Sequence, residues 1–336
     1  MKKFTRTLAC FLLCSAPLLA QSGYHLAGKI HLEGEGGWDY LTVDATNGRI
    51  FVSHSSVAQA VDLKTGTLAG TILNTNGIHG IAVAAELNKG FTSNGRDSSV
   101  TIFNLKTFEI LDKVKVTGRN PDCILYDAFS QRVFTFNGGS NNVTVLDAKN
   151  YNVLGTIAVD GKPEFAQTDG LGRIFVNIED KSMINVLNAK TMVVEQHWSI
   201  APGDEPSGLA LDNENHRLFS VCGNKLMVVT DALTGKGITT LPIGDRCDGV
   251  AFDPKLKRVY SSNGEGSMTV VQEVDANTFK VLETVPTLPG ARTITIDKTT
   301  GHLYLSTAEY ETAVAGSNRR PTTKPNSFMI LDIAPN

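Results

Sequence analysis

The 336-residue chain predicts an all-β fold, a seven-bladed β-propeller of four-stranded antiparallel blades, and three observations carry that expectation. The first is a segment that recurs seven times: LTVDATNGRIFVSH (41–54), IAVAAELNKGFTSN (81–94), CILYDAFSQRVFTFN (123–137), FAQTDGLGRIFVNI (165–178), LALDNENHRLFSVC (209–222), VAFDPKLKRVYSSN (250–263) and ITIDKTTGHLYLST (294–307). Its anchors Asp44, Ala84, Asp127, Asp169, Asp212, Asp253 and Asp297 lie 40, 43, 42, 43, 41 and 44 residues apart, the period of sheets arrayed around an axis. The second is that each copy continues into a further pair of short alternating runs, as in VTVLDAKNYNVLGTIAV (143–159), so that every unit reads as four strands. The third lies at the ends. The seventh copy stops after a third strand at 328–333, while YHLAGKIHL (24–32) matches fourth strands such as LAGTIL (68–73). An N-terminal strand completing the last blade would close the ring and remove an open sheet edge.

In chain order, residues 1–20 read as a secretory signal: Lys2, Lys3 and Arg6 precede an apolar run of 13 residues that ends at Ala20. That run is shorter than the ~20 residues needed to span a bilayer, and no later stretch comes close, so no transmembrane segment is expected in the mature chain. A lipoprotein reading at Cys10 fits poorly, because the apolar run lies almost wholly downstream of it. The signal carries three cations and no acid, so 28 Lys and Arg against 34 Asp and Glu leave a mature charge of −6. Residues 21–336 then form one propeller domain, periplasmic or secreted, with turn residues such as Asn47-Gly48 and Lys64-Thr65-Gly66 between strands and no sustained helical period. An acidic chain has no basic field for phosphate backbones, so nucleic acid is not the expected partner.

Repetition supplies a geometric tool, since one offset in every copy falls on one ring around the axis. Five positions before the anchors stand Asp39, His79, Asp122, Glu164, Ser207, Asp248 and Arg292, where the chain enters each innermost strand. All are polar. With His79 neutral, four carboxylates and one guanidinium put a charge near −3 at a concave tunnel mouth, which focuses the field and recruits a cation or raises carboxylate pKa values. These residues are the candidate ligand-binding set, together with Trp38 as a stacking surface at the rim. Asp39, His79, Asp122, Glu164 and Asp248 are the candidate ligands of a divalent metal ion. Arg292 suits an anionic ligand group or neutralises Asp39, since blade seven adjoins blade one.

Other positions on that face are His54, Asn94, Asn137, Cys222 and Asn263, where asparagine is read as a turn former. The corresponding turn of the seventh copy expands to 307–327 and carries Arg319, Arg320 and Lys324, either a lid or an unstructured excursion. Cys222 and Cys247 should share one face of neighbouring blades, and a disulfide between them is expected in an oxidising compartment. Cys123 reads as a small core residue and Trp198 as packing.

Phe91-Thr-Ser-Asn94, Phe134-Thr-Phe-Asn137 and Tyr260-Ser-Ser-Asn263, each followed by a V-x-V/I-x-D/N-like run, resemble the repeat of the YVTN-type β-propeller family, which includes secreted and periplasmic YncE-like proteins. Copies one, four, five and seven depart from that pattern. The resemblance implies the fold, and function has to come from the site. G-x-S-x-G, H-E-x-x-H, the P-loop, C-x-x-C and C-x-x-C-H are all absent. The leading expectation is an exported, monomeric, non-catalytic propeller that binds a small molecule, polymer or protein in the funnel. The alternative, implied by lactonase-like propellers that resemble this repeat, is a metal-assisted hydrolase using funnel carboxylates.

Overall fold

The computed structural model describes residues 23–311 and 322–336; the expected signal at 1–20 and the Arg319–Arg320 pair lie outside the described residues. Seven four-stranded antiparallel sheets are arranged in a ring. Blade one comprises Trp38–Asp44, Arg49–His54, Val57–Asp62 and Thr67–Ile72, innermost to outermost, and the following blades repeat it. Innermost strands contact one another in chain order, and Ile294–Ile296 of blade seven meets Trp38–Asp44. The outermost strand of blade seven is Tyr24–His31, paired antiparallel with Met329–Pro335 from Tyr24 opposite Pro335 to His31 opposite Met329. The two termini therefore share one sheet, as the missing strand predicts. Among the described residues no helix is long and apolar enough to cross a membrane.

The repeat is explained by what each of its positions buries. Its aromatic residue, Phe51, Phe91, Phe134, Phe175, Phe219 or Tyr260, is at most 1% exposed and sits between two sheets. Phe51 meets Phe103 of blade two at 5.4 Å, and Phe219 meets Phe252 of blade six at 5.6 Å. Burying such a ring contributes roughly 2–3 kcal/mol, which one sheet facing water could not collect.

The asparagine three positions on is structural. Asn137 accepts from Thr135 Oγ1 at 3.2 Å and donates through Nδ2 to Asn142 Oδ1 at 2.8 Å and Thr144 Oγ1 at 2.9 Å. Asn94 and Asn263 repeat this arrangement with Thr92, Ser99 and Thr101, and with Ser261, Ser267 and Thr269. All three asparagines are fully buried. They bind the turn rather than a ligand.

On the opposite face, the cation that opens the second strand of blades one to five reaches the outer turn of the next blade. Arg49 Nη1 donates to the Leu105 carbonyl at 2.8 Å, Lys89 Nζ to Lys149 at 2.8 Å, Arg132 Nη1 to Ala189 at 2.6 Å, Arg173 Nη1 to Ala232 at 2.8 Å and Arg217 Nε to Ala276 at 2.5 Å. Arg258 lies 5.8 Å from the centre of the Tyr24 ring. These charge-assisted contacts tie neighbouring blades edge to edge.

One expectation needs correction. Cys222 and Cys247 are buried neighbours on adjoining blades, yet both are free thiols and not the predicted bridge. Each sulfur is turned to backbone: Cys247 Sγ donates to the Cys222 carbonyl at 3.1 Å, and Cys222 Sγ to that of Ser220 at 3.7 Å. Burial pushes both thiols up to about 12, which keeps them protonated. Cys123 is also free and lies in the core, and Trp198 stacks on Phe175 at 6.0 Å, as expected.

Because the fully buried Asn137 satisfies three polar partners, two of them buried, Asn137→Ala should lower unfolding stability by about 2–4 kcal/mol, whereas Asn150→Ala in an exposed outer turn should change it by less than about 1 kcal/mol. Urea denaturation of both variants checks this; equal effects would contradict the structural role.

Candidate functional site

The ring residues are aimed by an irregularity that recurs in the innermost strands. Pairing with the second strand loses register between Trp38 and Leu41, Ile78 and Ile81, Pro121 and Ile124, Pro163 and Ala166, Pro206 and Leu209, and Cys247 and Gly249. Each break flanks or includes a ring residue, and such bulges redirect side chains. Close approach of the strands then sets the ring's diameter. A Cβ at Gly208 would lie 2.8 Å from the Asp248 carbonyl oxygen, and one at Gly249 2.8 Å from the Ile294 nitrogen.

The ring is also held from behind. The third residue of the aromatic-to-asparagine segment donates to the backbone carbonyl of the ring residue in the next blade. Ser93 does so to Asp122, Asn177 to Ser207 at 3.0 Å, Ser262 to Arg292 and Ser306 to Asp39 at 3.2 Å. These side chains are fully buried, so blades two, four, six and seven each hold the ring backbone of the neighbouring blade.

Asp39, His79, Asp122, Glu164, Asp248 and Arg292 converge on one funnel of about 1020 Å³. Tyr40 also lines it and meets Phe165 edge to face at 5.3 Å. Blades one and four are not neighbours, so this contact crosses the axis.

Two predicted members lie elsewhere. Ser207 is 9% exposed and donates to the Cys247 carbonyl at 3.2 Å, because a short hydroxyl finds its acceptor on the adjoining strand before it reaches the funnel. Trp38 is partly buried and does not line the funnel. It packs 5.6 Å from Phe328 and 6.4 Å from Tyr310, with its indole nitrogen buried, and forms a wall behind Asp39.

Sequence reasoning missed Tyr40, Lys162, Glu179, Arg246, Tyr310 and Glu311 at the funnel. Lys162 and Arg246 each stand two residues before a ring position, so a second offset would have found them. Tyr310 and Glu311 come from the base of the expanded seventh-blade turn, where Tyr310 bridges to Thr323 and Glu311 N donates to the Thr322 carbonyl at 2.8 Å.

Charges in the funnel are paired, across blades for His79 and Arg292 and within blade four for Lys162. His79 Nδ1 lies 2.7 Å from Asp39 Oδ2 and 3.8 Å from Asp122 Oδ1. Arg292 Nε donates to Asp248 Oδ2 at 2.6 Å, and its Nη2 lies 3.4 Å from Asp39 Oδ1. Lys162 Nζ lies 2.6 Å from Glu164 Oε1 and also holds Glu179. Burial opposes the charged form of His79, but its bond to Asp39 and the charges of Asp122, Asp39 and Glu164 outweigh it and raise the imidazole to about 9. Burial and then the Asp39 charge lift Asp122 to about 7 against the pull of His79. Burial and then Asp122 lift Glu164 to about 8 against Lys162. Burial also raises Asp248, with Arg292 opposing. Near neutral pH a charged imidazole therefore stands near the Asp122 and Glu164 carboxyls, both of which hold protons well above the ordinary carboxylate range. Asp39, His79 and Asp122 each present one potential ligand atom within 4.8 Å of the others, whereas Glu164 and Asp248 are engaged by Lys162 and Arg292. Of the five candidate metal ligands, three are thus brought together.

No protein-family model and no curated protein sequence matches the chain. Solved structures similar to it are propellers. A chain of Kuenenia stuttgartiensis hydrazine synthase shares 15% identity and a TM-score of 0.71, covering 82% of this chain and 94% of that one. A chain of the mitotic checkpoint complex shares 11% identity and a TM-score of 0.75, with coverage of 90% and 95%. The RRP9 WD40 repeats share 10% identity and a TM-score of 0.77, with coverage of 93% and 99%. At such identities the likeness establishes the seven-bladed β-propeller and nothing of its ligands.

Asp122 and His79 bind protons more tightly in the folded protein than their ordinary values of 3.8 and 6.5 allow. Their contributions are present below those values and fade as pH rises through about 7 and about 9. In chelator-containing buffer the melting temperature should therefore fall between pH 5 and pH 9. Asp122→Asn should flatten the lower part of that decline; an unchanged slope would contradict the assigned shift.

Proposed function

We propose that the protein is an exported, monomeric β-propeller related to the YVTN and YncE-like family, and that it binds a small polar ligand in its funnel without transforming it. The observation that supports this reading is the polarity of the funnel. Arg246 and Arg292 balance Asp248 and Glu311 on the side formed by blades six and seven, beside Tyr310, while Asp122, Glu164 and Glu179 outnumber Lys162 on the facing side formed by blades three and four. A ligand with a negative group at one end and an amino or hydroxyl group at the other would satisfy both walls. Arg292 supplies a planar donor fork for the first, and the carboxyls accept from the second. The aromatic ring of Tyr40 in the lining lowers the local dielectric and strengthens both contacts. The extension contributes Tyr310 and Glu311 to the lining on the arginine side.

Thermal-shift titration with amino acids and dipeptides, beside singly charged carboxylates and amines of the same size, tests this. Zwitterions should stabilise the protein most, and Arg292→Ala or Asp122→Ala should reduce affinity by about tenfold or more. Stabilisation by every compound regardless of charge, or shifts unchanged in both variants, would remove the funnel from the binding site.

A second reading rests on Asp39, His79 and Asp122. Two carboxylates and one imidazole on three blades, open to the funnel, suit an ion such as Zn²⁺ or Mn²⁺. Such an ion would polarise a carbonyl and acidify a bound water, the chemistry of a lactonase-like hydrolase. Calorimetric titration with Zn²⁺ and Mn²⁺ separates the readings: stoichiometric binding lost in His79→Ala supports a metal centre, and no heat at millimolar ion removes it.

A further inference from the structure

The cations that bridge blade to blade on the face opposite the funnel cover six junctions and stop at the seventh. The residue equivalent to Arg49, Lys89, Arg132, Arg173, Arg217 and Arg258 in the last blade is His302, five positions after the anchor Asp297. A histidine side chain is too short to cross to blade one. It turns instead within its own blade, with Nδ1 2.7 Å from Asp332 Oδ1 and its ring stacked on Tyr304. Where a guanidinium lies at other junctions, this one has a cleft of about 390 Å³ lined by Gly48, Leu63, Lys64, Asp297, His302 and Asp332.

The chain itself shows what such a cleft holds. In the fourth blade Arg173 donates from Nε to the anchor carboxylate Asp169 Oδ2 and from Nη1 to the outer-turn carbonyl of Ala232, both at 2.8 Å. In the fifth, Arg217 bridges the Ala276 carbonyl and Asp231 Oδ2 in the same forked manner. Asp297 is the counterpart of Asp169, and Leu63 is the counterpart of Ala232 in the outer turn of blade one. Asp297 is fixed by donation from Thr299 N at 2.9 Å and Thr300 Oγ1 at 2.8 Å. Asp297 and Asp332 stand against one exposed ammonium, Lys64.

We propose that this cleft binds a guanidinium group on an alkyl stem, supplied from outside the chain, which bridges Asp297 and the Leu63 carbonyl as Arg173 bridges Asp169 and Ala232. Guanidinium is favoured over ammonium because five of the six internal bridges use arginine, whose planar fork reaches a carboxylate and a carbonyl together. The group could belong to a free alkylguanidine or to an arginine side chain of a partner protein.

The test is calorimetric titration of the full chain with agmatine and, separately, with the peptide Gly-Arg-Gly, on wild type, His302→Arg and Asp332→Asn. Wild type should bind at least one probe. Binding of agmatine points to a free alkylguanidine, and binding of the peptide alone to a partner's arginine. His302→Arg should weaken binding by about tenfold or more while raising the melting temperature, since the new guanidinium occupies the cleft and completes the set of bridges. Asp332→Asn should weaken binding without that rise. Absence of binding to wild type at millimolar probe, affinity unchanged in His302→Arg, or affinity lost in Asp122→Asn, which would place the probe in the funnel, would each overturn the proposal.

Discussion

The pairing of Tyr24–His31 with Met329–Pro335 joins the two ends of the chain in one sheet, and every contact around the axis depends on it. A twisted four-stranded sheet has two apolar faces and two edges, and none of these blades covers both faces unaided. Closure gives every face a neighbour. The N-terminal strand is tied into this arrangement at its far end as well, where Tyr24 Oη and the buried Tyr260 Oη of blade six share a hydrogen bond of 2.6 Å. The core is accordingly distributed between blades, as in the cluster that joins Tyr24 and Leu331 of blade seven to Tyr260 and Val270 of blade six.

Closure also creates the chemistry. Asp39, His79 and Asp122 are about forty residues apart in the chain, and Arg292 lies 253 positions from Asp39, yet side chains from all of them meet in one funnel. Isolated from water, such a group of acids would repel, and the protein answers with Arg292, Lys162 and a protonated His79. The buried serines and asparagine behind the ring hold its backbone, so this balance of charges is set by second-strand residues that never touch the funnel.

Much of this was legible in the sequence because repetition converts position in the chain into position in space. Period, blade number and the closing strand followed from that alone, and the ring offset placed six of its seven residues in the funnel. What escaped was whatever depends on side-chain length and local competition. Ser207 has the right offset, but its hydroxyl is captured by the Cys247 carbonyl. Trp38 is drawn away by Phe328, at the head of the third strand, and by Tyr310, from an extension with no counterpart in other blades. The thiols of Cys222 and Cys247 share a face, but sulfur orientation has no trace in spacing. Lys162 and Arg246 needed a second offset, and the Tyr40–Phe165 contact across the axis is invisible to any comparison of adjacent repeats.

That last contact has a kinetic consequence. Two aromatic rings meeting across the pore narrow it at that level, so a molecule held by Asp39 and Arg292 exchanges on the funnel side. Arrival and escape then share one gateway beside Tyr310 and Glu311. Anything that obstructs this gateway slows both equally, prolonging occupancy while leaving the equilibrium constant where it was.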